Sequence, residues 1–388
     1  MILTKNKIQI NLFFKTKIDY HECTVDLEIS PEVKRNEVKS NHASKKFFLY
    51  SLIGLCSFLL FLFIIPLSDR MDIGLTDSPK QLKDYMKFHH INGVMLVNDK
   101  KDRSRPIVVT NKETSNKSKI VKTDQLFPIA SLQKIMTGTA IYQLQKQKQL
   151  DWNTPLSKYF PQVPGSKSIT IRELMNHTSG LINNARPSKP LKNQQEQIAY
   201  MLKYIKYDHI HTWDYQDVDY ELLAAIISRL RNTTYNNYVQ NNFAEPLRLR
   251  KIKDFPEVSQ SEVPQPVVNN VNWHKVTVTT SSDFGAGNLF MSPNDYWKFV
   301  YDRILKDPKM INKYAHQAQH QEVAYFGGVY FKGNVIRADG SIPGYNCCFV
   351  ANYKTKRMIM LFSNNINYFT LKIAADHILH DYMGVGLF

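Results

Sequence analysis

Two residues in the stretch "FPIASLQKIMTGTAIYQLQKQ", residues 127 to 147, have types and a spacing that can do chemistry together: Ser131 and Lys134. Three positions apart at the start of a helix, their side chains share a face. A serine hydroxyl is a poor nucleophile until a base takes its proton. A lysine serves as that base if burial or neighbouring cations bring its pKa below the free value of about 10.4. Backbone N–H groups at the helix start then lie where they can stabilise an oxyanion. Taken alone the pair is weak, because lysine is common in this chain, and a surface Ser and Lys on an ordinary helix is the plain alternative.

Other stretches give the pair a context. "IASLQK" is followed by "LDWNTPLSKYFP", "ITIRELMNHTSGL", "DYELLAAII", "FAEPLRL", "GAGNLFMSPNDYWKF" and "GSIPGY". In order and approximate spacing these resemble the penicillin-recognising serine hydrolases, which include class C β-lactamases, D-alanyl-D-alanine carboxypeptidases and related esterases. The resemblance runs from about residue 80 to 385. It implies that Ser131 is the nucleophile and Lys134 its partner base. It places the second motif, Tyr-x-Asn in the family, at Tyr215-Gln216-Asp217, with Tyr215 sharing the proton traffic and passing it to the leaving group. The third motif, Lys-Thr-Gly or His-x-Gly in the family, falls at Ala338-Asp339-Gly340. Ser341 then supplies one oxyanion N–H and Ser131 the other. No cofactor and no metal is implied.

Two departures carry a substrate argument. Asp217 stands where the family has Asn, and Ala338 where it has Lys or His. The missing cation is the one that helps to hold a substrate carboxylate, and Asp217 and Asp339 add negative charge. A substrate with a cationic end is favoured: a charge pair at 4 Å is worth about 4 kcal/mol at an intermediate dielectric, before desolvation. Arg337, if it turned into the site, would spoil this argument. An ammonium beside a hydrolysable acyl group describes D-alanine esterified to teichoic acid, and the departures resemble those of the teichoic-acid D-alanyl esterases of Gram-positive bacteria. A D-alanyl-D-alanine carboxypeptidase acting on peptidoglycan stem peptides, and a weak β-lactamase, are the alternatives within the class. A catalytically silent wall-binding homologue is the alternative outside it. Asp217 beside Lys134 also brings a conflict, since it would raise the lysine pKa and make it a worse base.

Other reactive residues carry less. His316 and His320, or His377 and His380, are spaced to hold zinc on one helix face, but no HExxH and no third ligand accompanies them. "HIH" at 209–211 reads as exposed. His177, within "MNHTSGL", reads as structural.

The elements that must position these groups follow from periodicity. "KQLKDYMKFHH" reads as a helix; "INGVMLVND" and "RPIVVTN" as a strand pair. In the 131–147 helix Leu132, Ile135, Met136, Ala140, Ile141 and Leu144 lie on or near one face. "TIRELMNHTSGL" reads as a helix from a Thr cap to a Gly, and "DYELLAAIISRLRNTTYNNYVQNNF" as a long helix and a second. "FGGVYF", "NVIRAD", "YNCCFVANY" and "RMIMLFSN" read as strands, and "YFTLKIAADHILHDYM" as a closing helix. A sheet built from both chain ends around a helical body is an α/β (α+β) layered domain. The resemblance makes it an antiparallel sheet flanked by helices, with a helical subdomain.

Composition sets the surroundings. The chain has 388 residues, 43% apolar and 22% charged, with a net charge of +16. Phe47 to Ile65 contains no charge and as a helix would be roughly 28 Å long, near the ~30 Å hydrocarbon thickness. Lys45 and Lys46 precede it. The expectation is a cytoplasmic segment 1–46, an uncleaved transmembrane helix 47–66, a stem 67–80 and an extracellular hydrolase domain 81–388. Nine basic and six acidic residues precede residue 67, so the remainder carries +13. That excess suits a polyanionic cell-wall polymer, and no nucleic-acid-binding motif accompanies it. Cys23, Cys56, Cys347 and Cys348 make no disulfide framework and no CxxC pattern.

Overall fold

The computed structural model describes residues 78–383, apart from Lys100, Asn269 and Gln321. The expected transmembrane helix 47–66 lies outside these residues. Among the described residues no helix is long and apolar enough to cross a membrane.

The chain ends do build one sheet. Strands β1 (Gly93–Asn98) and β2 (Pro106–Asn111) form the expected antiparallel pair. Near the C-terminus β8 (Tyr325–Phe326), β9 (Val329–Lys332), β10 (Val335–Ile342), β11 (Tyr345–Asn352) and β12 (Arg357–Ser363) follow. The seven lie in the order β2-β1-β12-β11-β10-β9-β8, with antiparallel neighbours throughout. "FGGVYF" is thus two short strands around a Gly327–Gly328 turn, both at positive φ. β10 runs past "NVIRAD" to include Gly340 and Ser341.

Strand alternation sorts the sheet's residues onto two faces. Met95, Val97, Val335, Cys348, Val350, Ile359 and Leu361 pack under two helices from the chain ends, α1 (Pro79–Phe88) and, near the C-terminus, Tyr368–His377. Val94, Leu96, Ile336, Ala338, Cys347, Phe349 and Phe362 face the helical body. Its central member is α2 (Lys134–Lys146), led in by a 3-10 turn over Ala130–Gln133. Gly138 lets the β8–β9 turn lie on α2: a methyl group there would meet the Gly327 carbonyl oxygen at 2.4 Å.

Around this body lie α3 (Ile171–Met175), α4 (Asp217–Arg231) and α5 (Trp273–Ser282); the C-terminal helix, α6 (Tyr368–His377), stays on the far face of the sheet with α1. Thr170 caps α3 in a full capping box with Glu173, as the Thr signal implies. The helix stops at Met175, however, well before Gly180. His177 takes a positive φ of 58° and is drawn to Asp219, its Nδ1 2.9 Å from a carboxylate oxygen. α4 begins at Asp217, so the second motif ends on the helix's first residue instead of in the loop before it. Five short strands have no counterpart in the sequence reading: β3 (Phe127–Pro128), β6 (Ile252–Asp254) and β7 (Leu289–Met291) in one sheet, β4 (Leu181–Ile182) and β5 (Lys206–Tyr207) in another.

Candidate active site

Ser131 sits in the 3-10 turn, not on α2 proper. Ala130 before it holds φ at +45°, a left-handed conformation that costs a non-glycine residue about 1–2 kcal/mol. The turn is pinned from both sides. Ile129 N–H donates to the Leu289 carbonyl, and the Gln133 amide bonds both Asn288 Oδ1 and Leu289 N–H. Below, Tyr296 Oη donates to the Leu132 carbonyl. The small β3–β7–β6 sheet is therefore the frame that holds the strained turn.

One helical step on, Lys134 is 1% exposed. Its Nζ donates to Ser131 Oγ at 2.9 Å, to Asp217 Oδ1 at 2.6 Å and to the Ala286 carbonyl at 3.2 Å. An ammonium has three N–H donors, and all three are engaged. Nζ also lies 4.9 Å from the centre of the Tyr215 ring. The Tyr215 ring thus lies against the amine, and its phenol interacts with Lys134 and Ser131. Hydroxyl, amine and phenol thus converge.

The electrostatics follow from burial and from Asp217. Burial pushes the Lys134 pKa down, but the charge of Asp217 and the phenol of Tyr215 outweigh it, so the amine is held above its ordinary value. Burial would raise Asp217; the Lys134 ammonium prevails and holds the carboxyl below the usual range. Tyr215 is pushed up by burial, with Lys134 opposing. In the resting site the proton rests on Lys134, and the phenol is intact. His177 lies against Tyr215, ring centroids 4.4 Å apart, and its partner Asp219 also takes the Ser179 hydroxyl at 2.5 Å. That places His177 in a supporting role under the tyrosine.

The third-motif residues separate by face. Ala338 and Gly340 point toward the Ser131 turn. A methyl group at Gly340 would come within 2.5 Å of the Ile129 carbonyl oxygen, so only glycine lets the strand pass this closely. Arg337 and Asp339 point the other way. The Arg337 guanidinium bonds both Asp339 oxygens, at 2.9–3.1 Å, and Asp376 of α6 at 2.6 Å. Arg337 therefore does not turn into the site. The structure does not bring the Asp339 carboxylate into it either: that charge is matched by Arg337 on the far face of β10. Ser341 emerges at the end of the strand, beside Ser131, in an open cleft of about 540 Å³.

The rest of the cleft lining holds residues that the sequence did not single out. Arg186, from the loop after β4, bonds Asp283 at 2.9 Å and Ser282 at 3.1 Å and lies 3.7 Å from Asp217. Tyr368, Asn367, Asn346 and Asn365 also line the cleft. No local pattern marks Arg186 or Asp283; they are 97 residues apart and meet only in the fold.

A nucleophile turn, a buried Lys, a Tyr and a glycine strand around one open cleft define a serine hydrolase of the penicillin-recognising type. A family model described as Beta-lactamase matches residues 82–379, and the chain belongs to that family. The chain is 26% identical over 308 residues to a Bacillus subtilis protein that carries the name penicillin-binding protein PbpX, 75% of each chain being covered. It is 27% identical over 251 residues to a teichoic acid D-alanine hydrolase of Staphylococcus aureus, spanning 62% of that protein's length and of its own. Among solved structures it is similar to FmtA of Staphylococcus aureus, with a TM-score of 0.66 at 24% identity, over 78% of this chain and 86% of that one. It is also similar to the D-amino acid amidase of Ochrobactrum anthropi SV3, with a TM-score of 0.64 at 18% identity, over 79% and 100%. These two likenesses speak to the fold.

Proposed function

We propose that this serine hydrolase removes D-alanyl esters from teichoic acid at the cell surface, through an acyl-enzyme on Ser131. The observation that carries the reading is the charge of the cleft: a partly exposed carboxylate, Asp217, bonded to the base, and no cation at Ala338. Such a cleft takes an ammonium more readily than a carboxylate. The relative whose name specifies teichoic acid D-alanine agrees with it.

In this reading the substrate ammonium approaches Asp217 and competes with Lys134 for it. Lys134, buried and deprived of its counter-charge, releases its extra proton to solvent through the open cleft and becomes the base that takes the Ser131 proton. Ser131 Oγ attacks the ester carbonyl, and the oxyanion is held by the backbone N–H groups of Ser131 and Ser341. Tyr215 hands a proton to the leaving alcohol. Water then repeats the sequence on the acyl-enzyme and releases D-alanine. Residues 1–46 lie in the cytoplasm, 47–66 anchor the chain, and the domain after residue 80 works outside, its basic surface drawn to the polyphosphate polymer.

The test is release of free D-alanine from purified teichoic acid by the full-length protein, with Ser131→Ala and Lys134→Ala as controls. Release by the wild type alone supports the reading. Stoichiometric, long-lived labelling of Ser131 by a penicillin, with no D-alanine released, points to a carboxypeptidase instead. No adduct with any acylating agent leaves a silent wall-binding protein.

A further inference from the structure

Arg186 is the one cation among the described residues that line the cleft, and it is bound in a particular way. Its guanidinium bridges Asp283 and Asp217, at 2.9 and 3.7 Å. The two carboxylates are fixed. Asp217 is the first residue of α4, and Asp283 directly follows α5, where its neighbour Ser282 bonds it at 3.1 Å. They are 26% and 9% exposed. Arg186, by contrast, is 49% exposed and extends from a loop between β4 and the helix Gln194–Tyr204. The anionic side is rigid, and the cation is the movable partner.

A third carboxyl lies behind these two. Glu221, one turn along α4 from Asp217, is 3% exposed, and its Oε2 has no hydrogen-bond partner among the described residues. It senses the charges of Asp217, Asp283 and Arg186. Burial, with the charges of Asp217 and Asp283, pushes its carboxyl well up, so it stays neutral and adds no charge to the cluster. Carboxylates buried as far as Asp217 and Asp283 are costly without a cation. In the free enzyme Arg186 supplies it to Asp283 and shares Asp217 with Lys134.

We infer that Arg186 is a resident cation occupying the subsite for the substrate's ammonium, and that it swings out to solvent when a cationic acyl group enters, so that it sets the enzyme's affinity and selectivity for such groups. The inference rests on the proposed reading of the cleft as one for a cationic acyl donor. Exchange keeps Asp283 matched: Arg186 leaves it as the ammonium arrives, while Asp217 is contested between the ammonium and Lys134. The long, half-exposed arginine loses little by moving into water. An incoming anion has no such exchange open to it, because it would have to displace a fixed carboxylate from Arg186.

The experiment compares D-alanyl and propionyl esters of one chromogenic alcohol, which differ in the ammonium group. Full-length wild type, Arg186→Gln, Arg186→Lys and Asp283→Asn are assayed for KM and kcat, with melting temperatures as the check on folding. Arg186→Gln should lower KM for the D-alanyl ester about tenfold, leave KM for the propionyl ester within about twofold, and leave the melting temperature near that of wild type. Arg186→Lys should return KM toward wild type. Asp283→Asn should raise KM for the D-alanyl ester alone, a change in the opposite direction that mere loosening of the loop would not give. An unchanged or raised KM for the D-alanyl ester in Arg186→Gln overturns the inference. If wild type treats the two esters alike, the reading of the cleft as cation-accepting falls, and this inference with it. If wild type prefers the D-alanyl ester and Arg186→Gln behaves as wild type, the inference about Arg186 falls alone.

Discussion

Asp217→Asn tests the proton inventory of the site. Asp217 Oδ1 and Lys134 Nζ are 2.6 Å apart. At an effective dielectric near 20 a unit charge pair at that distance is worth about 6 kcal/mol. Asp217 is a quarter exposed and shares its charge with Arg186, so roughly half of that, about 3 kcal/mol, is a fair net figure for what the carboxylate adds to the ammonium form. With an amide in its place the ammonium loses that support, while burial continues to favour the neutral amine. At a fixed pH the neutral fraction of Lys134 then rises by about 100-fold. Ser131 should become more reactive toward electrophiles that carry no ammonium of their own. The assay is the second-order rate of fluorophosphonate labelling against pH, read by intact mass. Asp217→Asn should label about 10- to 100-fold faster than wild type at neutral pH, with the rise in rate moved to lower pH. The same variant should lose its preference for D-alanyl over propionyl esters. If folded Asp217→Asn labels more slowly than wild type at every pH, the carboxylate is itself needed to accept the proton, and the reasoning fails.

Tyr215→Phe should reduce turnover of an ester by about 10²- to 10⁴-fold, with a far smaller change in melting temperature, since the ring still packs on His177; an unchanged kcat would remove Tyr215 from the proton path. Gly340→Ala places a methyl group 2.5 Å from the Ile129 carbonyl, so calorimetry should show a loss of about 1–3 kcal/mol together with slower acylation; a neutral substitution would mean that the strand and the turn are not in register as described. Burial, with the charge of Asp217, pushes the Asp283 carboxyl up to about 6, against the pull of Arg186 and Lys134. Its protonated form is thus favoured in the folded state, and its stability contribution is lost as pH rises from the unfolded value near 4 through about 6. Kinetically, KM for the D-alanyl ester should rise as pH falls below about 6, with Asp217, Arg186 and Lys134 as the charged groups facing Asp283 and Glu221 as a neutral, buried carboxyl beside them. KM for the propionyl ester should stay flat, and Asp283→Asn should abolish the difference.

Periodic elements were legible, and so were residues tied to them. β1, β2, β11, β12 and the helices around Ser131 and Asp217 follow from apolar runs with clear ends. Ser131, Lys134, Tyr215, Gly340 and Ser341 come together because each sits at a motif position on or beside such an element. The conflict between Asp217 and Lys134 was also visible as a chemical conflict, and the geometry gives it a definite form, three acceptors on one ammonium. What escaped has physical reasons. Strands of two or three residues such as β3, β6 and β7 have no periodicity to read. The positive φ of Ala130 leaves no trace in an alanine. Asp339 carries its charge to the far face because strands alternate, and Arg337 two residues earlier was there to meet it. Arg186 and Asp283 meet across the fold, and neither has a local pattern.

The most direct measurement is rapid quenching of full-length protein with a D-alanyl ester, followed by peptide mass spectrometry. One D-alanyl group on the peptide bearing Ser131, formed at the rate of turnover and absent from Ser131→Ala, is the result expected. Turnover without that adduct, or with the acyl group on another side chain, contradicts the account at its root.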